Sequence, residues 1–386
     1  MPTFSRGLVG RVRCFQEGVA AKPNVAIRTS LSGSPAYGFD GKKKLVPLLH
    51  PSVEQLPFGM ALELWQAPQR RMDPVERIKS KGFPMRRDLY EVNYVVQGQG
   101  TLMSHDGSLD ILKAGDSVIM PYKGAWCEPL NVAETMEDGS EWGLVVLRLL
   151  LPSDLLISPN GMFSDCSVAI AACEEWFASA GECRSLTPHQ VTHLLSGMQR
   201  SIQHTPPVRS KDVRLRRIVP DGSTGEMHEL GDHHQQDPVK GGHPSSVMKK
   251  SLQDLPTFRL PNQTNRLALV FDPTEEDIPF AFGVEIFEPS HHTTPHVHNS
   301  AHELFFILSG EGVAFCNGHS FAVSAGDTVV FPPGSVHGVD NGPNSRMYCL
   351  EMMLPNEMFA EFVKRGKPVG GLNKDDLCTL IAVGCS

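Results

Sequence analysis

A chain of 386 residues is long enough for two or three domains, each able to bury its own core. Its net charge of −8 gives no general basic footprint for nucleic acid or a membrane surface, and no run of about 18 apolar residues offers a transmembrane helix. Nine cysteines without a CxxC pair or regular spacing point to a reducing compartment with mostly buried free thiols.

The first thirty residues carry Arg6, Arg11, Arg13, Lys22 and Arg28 against the single acid Glu17, interleaved with Phe4, Leu8, Val9, Phe15 and Val19. Two readings stand: an organelle transit segment, mitochondrial or plastid, or the N-terminal arm of a cytoplasmic protein. Residues 1–45 are taken as this arm, ending in a glycine-rich loop with a lysine triplet. From there short apolar runs predict strands at Met60 to Trp65, Tyr90 to Val96, Thr101 to Ser104, Leu109 to Leu112, Ser117 to Met120 and Trp142 to Leu151. Asp106-Gly107 and Gly115-Asp116 supply turns. Residues 165–178 and 187–203 read as helices, the second with Thr187 as N-cap, Pro188 at the first helical position and Gln190 completing a capping box. These close a first domain over 46–204. Residues 205–261 lack periodicity and read as a linker, in which His233 and His234 belong to a solvated polar loop. A second β-rich domain occupies 262–386.

The second domain repeats the first. HPSVEQLPFGMALELW (50–65) parallels DPTEEDIPFAFGVEIF (272–287), placing Phe58 against Phe280 and Glu63 against Glu285. YEVNYVVQGQG (90–100) parallels HELFFILSGEG (302–312), with Glu91 against Glu303. Residues 115–131 parallel 326–341, LRLLLPSDLL (147–156) parallels LEMMLPNEMF (350–359), and even the terminal helix recurs, 186–195 against 372–381. Matches in the same order argue duplication of one β-rich unit.

Chemistry concentrates in residues 290–341 of the second copy. His296 and His298 share one face if they lie on a strand, Asn299-Ser300 supplies a bend that returns Glu303 to that face, and the Pro332-Pro333-Gly334 turn aims His337 at the same point. Three neutral imidazoles and one carboxylate around a divalent ion leave about +1 charge and two open positions. His296, His298, Glu303 and His337 are therefore the expected metal ligands, with Glu303 also able to accept a proton as the catalytic residue. His302 is expected to face outward as a surface residue. His291 and His292 either line a pocket mouth or sit in a loop. Glu63 and Glu285 share a role in the fold rather than in chemistry.

This pattern resembles the cupin superfamily. His296, His298, Glu303 and Gly310 match the first cupin motif except for its leading glycine, absent between Pro289 and Pro295, and Gly326, Pro332, Gly334, His337 and Asn341 match the second motif in full. The resemblance implies a mainly β fold, a bicupin of two double-stranded β-helix (jelly-roll) barrels of antiparallel strands, each followed by a short C-terminal helix. In the first copy Pro84, Arg86 and Cys127 fall in the ligand slots, so that barrel is expected to be degenerate. The resemblance further implies one divalent transition metal, Fe(II) or Mn(II) favoured with Zn, Ni or Cu also admissible. The activity expected is that of a mononuclear non-haem dioxygenase-type oxidoreductase on a small organic acid or phenol. A metal-assisted lyase, decarboxylase or isomerase, and a non-catalytic ligand-binding or storage-type bicupin, stay open as alternatives. The expected partner is a small-molecule substrate, without nucleic acid or membrane, and homo-oligomerisation is left open.

Overall fold

The computed structural model describes residues 25–32, 34–39, 43–54, 56–66, 89–103, 109–120, 125–129, 142–152, 171, 186–199 and 247–381. Runs of β-branched and aromatic residues bounded by glycine, proline and asparagine become antiparallel strands throughout, and the protein is mainly β. A leading strand, β1 (Ile27–Ser30), precedes a first barrel built from β2 (Tyr37–Phe39), β3 (Lys43–Leu49), β4 (Gly59–Gln66), β5 (Leu89–Met103), β6 (Leu109–Lys113), β7 (Asp116–Met120), β8 (Ala125–Pro129) and β9 (Trp142–Pro152), with α1 (Pro51–Glu54) between β3 and β4. Helix α2 (Pro188–Gln199) and strand β10 (Met248–Ser251) follow. The second barrel comprises β11 (Thr257–Arg259), β12 (Arg266–Phe271), β13 (Ala281–Phe287), β14 (His302–Ser309), β15 (Glu311–Cys316), β16 (His319–Ser324), β17 (Asp327–Phe331), β18 (His337–Asn341), β19 (Met347–Leu354) and β20 (Lys367–Pro368). Helices α3 (Phe359–Lys364) and α4 (Lys374–Ile381) complete it.

The two barrels share one topology. The larger sheet of the first runs β7-β5-β9-β4-β3 and that of the second β17-β14-β19-β13-β12. The smaller sheets are β6-β5-β8 and β16-β15-β18. The duplication read from sequence is thus a duplication of strand order. One detail differs: Tyr90 to Val96 and Thr101 to Ser104 are expected as two strands, whereas residues 90–103 belong to the single strand β5, whose register shifts between Val95 and Gln97, and Ser104 lies outside the described residues.

The barrels also exchange their end elements. Strand β1, ahead of the first barrel, pairs with β17 of the second, while β10, ahead of the second barrel, pairs with β7 of the first. Residues 248–259, within the stretch read as linker, therefore contribute strands to both barrels. The helices cross over in the same way. Ile381 of α4 lies against Gly115 of the first barrel and Leu195 of α2 against Gly326 of the second. Both glycines have φ near +87°, at +86° and +87°, and a Cβ at either would come within 3 Å of those side chains, so only glycine fits these turns.

Between the barrels lies one continuous apolar core that includes Phe58, Tyr90, Leu147 and Leu149 from the first and Phe280, Phe306, Leu350 and Met352 from the second. Two edge-to-face ring pairs cross it symmetrically: Tyr90 on Phe280 at 5.9 Å, and His302 on Phe58 at 5.7 Å. His302, expected at the surface, does point away from its own barrel, but the other barrel covers that face and buries it. Burial holds its imidazole down at about 4.

Helix α2 carries the capping box expected of it, with Gln190 N–H donating to Thr187 Oγ1 and Thr187 N–H to Gln190 Oε1. Of the helix over 165–178 only residue 171 is described, and it is helical, while the Asp106-Gly107 turn lies outside the described residues. Cys316 and Cys349 are buried thiols, whereas Cys378 is disulfide-bonded, which departs from a purely thiol reading. No helix among the described residues is long and apolar enough to cross a membrane.

Candidate metal site

The four expected ligands come from three segments. His296 and His298 lie in an extended, irregular stretch rather than on a regular strand. A single antiparallel bridge holds it to the start of β18: His296 N–H donates to the His337 carbonyl at 3.2 Å and His337 N–H to the His296 carbonyl at 3.0 Å. Gly334 N–H donates to the His298 carbonyl at 2.7 Å. The Pro332-Pro333-Gly334 turn thus fixes the backbone of both partners at once, and strand alternation is not what aligns the pair. Residues 299–300 bend as expected, and Glu303 enters from the second residue of β14. Asn341, the last residue of the second motif, is a loop tie: its Nδ2 donates to the carbonyls of Phe287, Glu288 and Ser345 at 2.7–3.0 Å.

One donor atom from each of His296, His298, Glu303 and His337 lies within 4.8 Å of the others, and the last three are buried. The Nδ1 atoms of His337 and His296 face the carbonyls of Ser335 (2.7 Å) and Thr294 (3.1 Å), so they carry the ring protons and leave Nε2 as a lone pair. His298 Nε2, His337 Nε2 and Glu303 Oε2 are all buried without a hydrogen-bond partner. The last two are 2.7 Å apart, and two acceptors at that distance require a proton or a metal ion beside them. Burial depresses His296 to about 4 and lowers His298 as well, keeping both rings neutral and ready to donate a lone pair. Burial pushes the Glu303 carboxyl up, but the neighbouring imidazoles, His337 foremost, outweigh it and hold it well below its usual range. This donor set fits one divalent transition ion.

Behind Glu303 stand two further buried acids that sequence reasoning did not place in the site. Glu351 on β19 adjoins both Glu303 and Glu285, and Asn265 donates to Glu285. Burial, reinforced by the charge on Glu303, raises Glu285 to about 8, and burial with the other two acids raises Glu351 well above its usual value. Both therefore carry protons near neutral pH. The first barrel fills the same positions differently. Glu63 and Glu91 are retained, but Arg148 stands where the second barrel has Glu351, and Lys43 where it has Asn265. Arg148 Nη2 donates to Glu63 Oε2 at 2.9 Å, its Nε lies 3.1 Å from Glu91, and Lys43 pairs with Glu63. Among the described residues, two acids with two bases form a self-neutralised cluster there; three acids with one amide do not.

A cavity of about 710 Å³ opens onto the site, with His296, His298, Glu303, Glu285 and Glu351 in its wall. Phe287, Phe305, Phe359 and Phe362 supply aromatic surface. Arg365 is the one lysine or arginine in the lining, has its guanidinium 5.8 Å over the Phe362 ring, and makes no ion pair among the described residues.

Residues 283–353 match the family model described as "Cupin domain". The second barrel is a cupin domain. Among curated proteins, an uncharacterized protein of Methanocaldococcus jannaschii is 35% identical over 49 residues, which is 13% of this chain, and the match spans only 39% of that protein. Solved structures similar to the whole chain include the putative glyoxylate-induced protein of Pseudomonas aeruginosa, at 12% identity, 88% coverage of this chain and 92% of the other, and TM-score 0.46. An oxalate decarboxylase of Bacillus subtilis has 14% identity, coverages of 88% and 79%, and TM-score 0.46. That of Lactobacillus farciminis, in its formate complex, has 15% identity, coverages of 92% and 90%, and TM-score 0.45.

Around the cupin domain's candidate site the remaining histidines fall apart. His291 is buried and bonded to the hydroxyls of Thr264 (2.7 Å) and Thr293 (3.2 Å), a satisfied structural position, while His292 is exposed beside Asp340. Pro84 and Arg86, and the side chain of Cys127, lie outside the described residues.

Proposed function

We propose that this chain is a metal-dependent enzyme, a mononuclear Fe(II) or Mn(II) oxidoreductase of the dioxygenase type acting on a small organic acid or phenol. The observation that carries this reading is the convergence of three Nε2 or carboxylate lone pairs, buried and without partners, on one point in the wall of an aromatic cavity. His296, His298, His337 and Glu303 would hold the ion. When bound, it supplies Lewis-acid polarisation of a coordinated oxygen and, for iron or manganese, chemistry with dioxygen.

The chain's own residues do the rest. The imidazoles of His296 and His337 hold position through their carbonyl-bonded Nδ1 atoms. Glu303 is ionised, and its partnerless oxygen takes either the ion or a proton. Phe287, Phe305, Phe359 and Phe362 exclude water and offer ring surface. The unpaired guanidinium of Arg365 orients an anionic substrate head, which favours the organic acid over the neutral phenol. A second reading, a metal-assisted lyase, decarboxylase or isomerase, is favoured by one specific observation. The protonated pair Glu285 and Glu351 adjoins Glu303 and suits reactions whose work is proton transfer.

Oxygen uptake by the metal-loaded enzyme, measured against aromatic diols, gentisate-like acids, diketones and oxalate alongside carbon dioxide release, tests the assignment. Substrate-dependent oxygen consumption in stoichiometry with substrate loss is expected. Turnover without net oxygen consumption overturns it in favour of the second reading.

A further inference from the structure

Between His298 and Glu303 the chain must turn through a bend at residues 299–301 whose N–H groups have no strand partner. A single side chain from another part of the fold takes up all three. Glu357 Oε1 accepts the Asn299 N–H at 2.7 Å, and its Oε2 accepts those of Ser300 at 3.1 Å and Ala301 at 2.7 Å. Glu357 and the following Met358 both have positive φ, +43° and +63°, conformations that non-glycine residues rarely adopt. Side chains other than glycine are held in that region only where the surroundings over-determine them, and such positions cluster at functional sites. Immediately afterwards α3 begins, delivering Phe359, Phe362 and, just past its end, Arg365 to the cavity wall.

We propose that Glu357 is a positioning residue for the metal site. It fixes the separation of His298 and Glu303 by tying the backbone between them to the helix that forms the substrate wall. The proposal rests on the metal reading above. An offset of five positions from His298 to Glu303 is the wrong parity for one continuous strand, so the bend alone decides whether Glu303 reaches the ligand cluster. A carboxylate that anchors three successive N–H groups supplies that decision from outside the ligand set, and charge-assisted acceptance of backbone N–H groups is strong enough to hold it. Phe359 and Phe362 cannot shift with a bound substrate without moving the segment that ends in Glu357. Wall and ligand spacing are thereby mechanically linked.

The test is titration of the metal-free full-length protein with Co(II), following its visible absorption, for wild type, E357A and E357Q. Far-UV circular dichroism and the thermal midpoint confirm folding in parallel. Partners that orient metal ligands from outside the coordination sphere typically govern affinity by about 10–100-fold, so E357A should bind Co(II) weaker by that factor, with an altered visible spectrum while remaining folded. E357Q removes the charge but keeps an acceptor for the Ser300 and Ala301 N–H groups, and should fall between wild type and E357A. Wild-type affinity and spectrum in E357A would overturn the positioning role, as would an E357Q loss equal to that of E357A, which would assign the effect to charge. Failure of the wild type itself to bind Co(II) would overturn the metal reading and this role with it.

Discussion

Arg148 of the first barrel and Glu351 of the second occupy the same position of the same strand, each facing the two glutamates common to both barrels, Glu63 and Glu91 in one and Glu285 and Glu303 in the other. Together with Lys43 in place of Asn265, this exchange separates a barrel whose described interior charges balance from one whose interior charge calls for a cation or protons. Arg148→Ala should therefore be costly, because it removes from buried Glu63 and Glu91 the guanidinium that pairs with both. Removing one partner of a buried, hydrogen-bonded ion pair destabilises by about 3–5 kcal/mol. Urea denaturation should show a midpoint lowered accordingly, with metal content unchanged. A loss below about 1 kcal/mol would show that the cluster does not carry the fold of the first barrel.

His302 gives a pH prediction with a defined sign. Its imidazole is held at about 4 by burial against the first barrel, below the usual value of 6.5. A base depressed in the folded state takes up its proton more readily when unfolded. The stability it permits is therefore fully present above about pH 6.5 and is lost as pH falls from there towards 4. The span of the shift corresponds to about 3 kcal/mol. His302→Tyr installs the residue that the first barrel places in the equivalent ring pair, Tyr90 on Phe280. The thermal midpoint of this variant should fall less steeply than that of the wild type between pH 6.5 and 4.5. Parallel curves would contradict the burial of the neutral ring.

The exchange of end elements bears on residues 205–261, read as a linker, and on a cut made within them ahead of β10, over 205–246. Protease cleavage there should yield two resistant fragments that stay together on gel filtration, because β1 remains paired to β17 and β10 to β7 across the cut. They should separate only in denaturant. Fragments that part under native conditions would show that the exchanged strands do not join the barrels.

How much of this was legible in the sequence depends on where each residue's partners lie. His296, His298, Glu303 and His337 could be read because their spacing is fixed by one hairpin-like excursion and a proline-glycine turn, all within about forty residues of chain. The repeat exposed the strand order, and the capping box of α2 was local. Glu351 carries a signal in the repeat, a charge reversal against Arg148 in otherwise apolar strands. Arg365, Phe359 and Phe362 gave none, since nothing local says which wall of a barrel a following helix will close. The burial of His302 is not legible for a related reason: alternation gives the face of a strand, and only the fold tells that a second barrel covers it. The short sequence of β1, Ile-Arg-Thr-Ser, has no feature that would assign it to the distant barrel.

The central claim is that His296, His298, Glu303 and His337 form one metal centre, in the second barrel alone. It is tested most directly by elemental analysis of the full-length protein purified without chelators, compared with His296→Ala. About one transition-metal ion per chain is expected in the wild type, falling to a small fraction of that in the variant while the fold persists. Absence of a stoichiometric ion in the wild type, or equal content in His296→Ala, would contradict it.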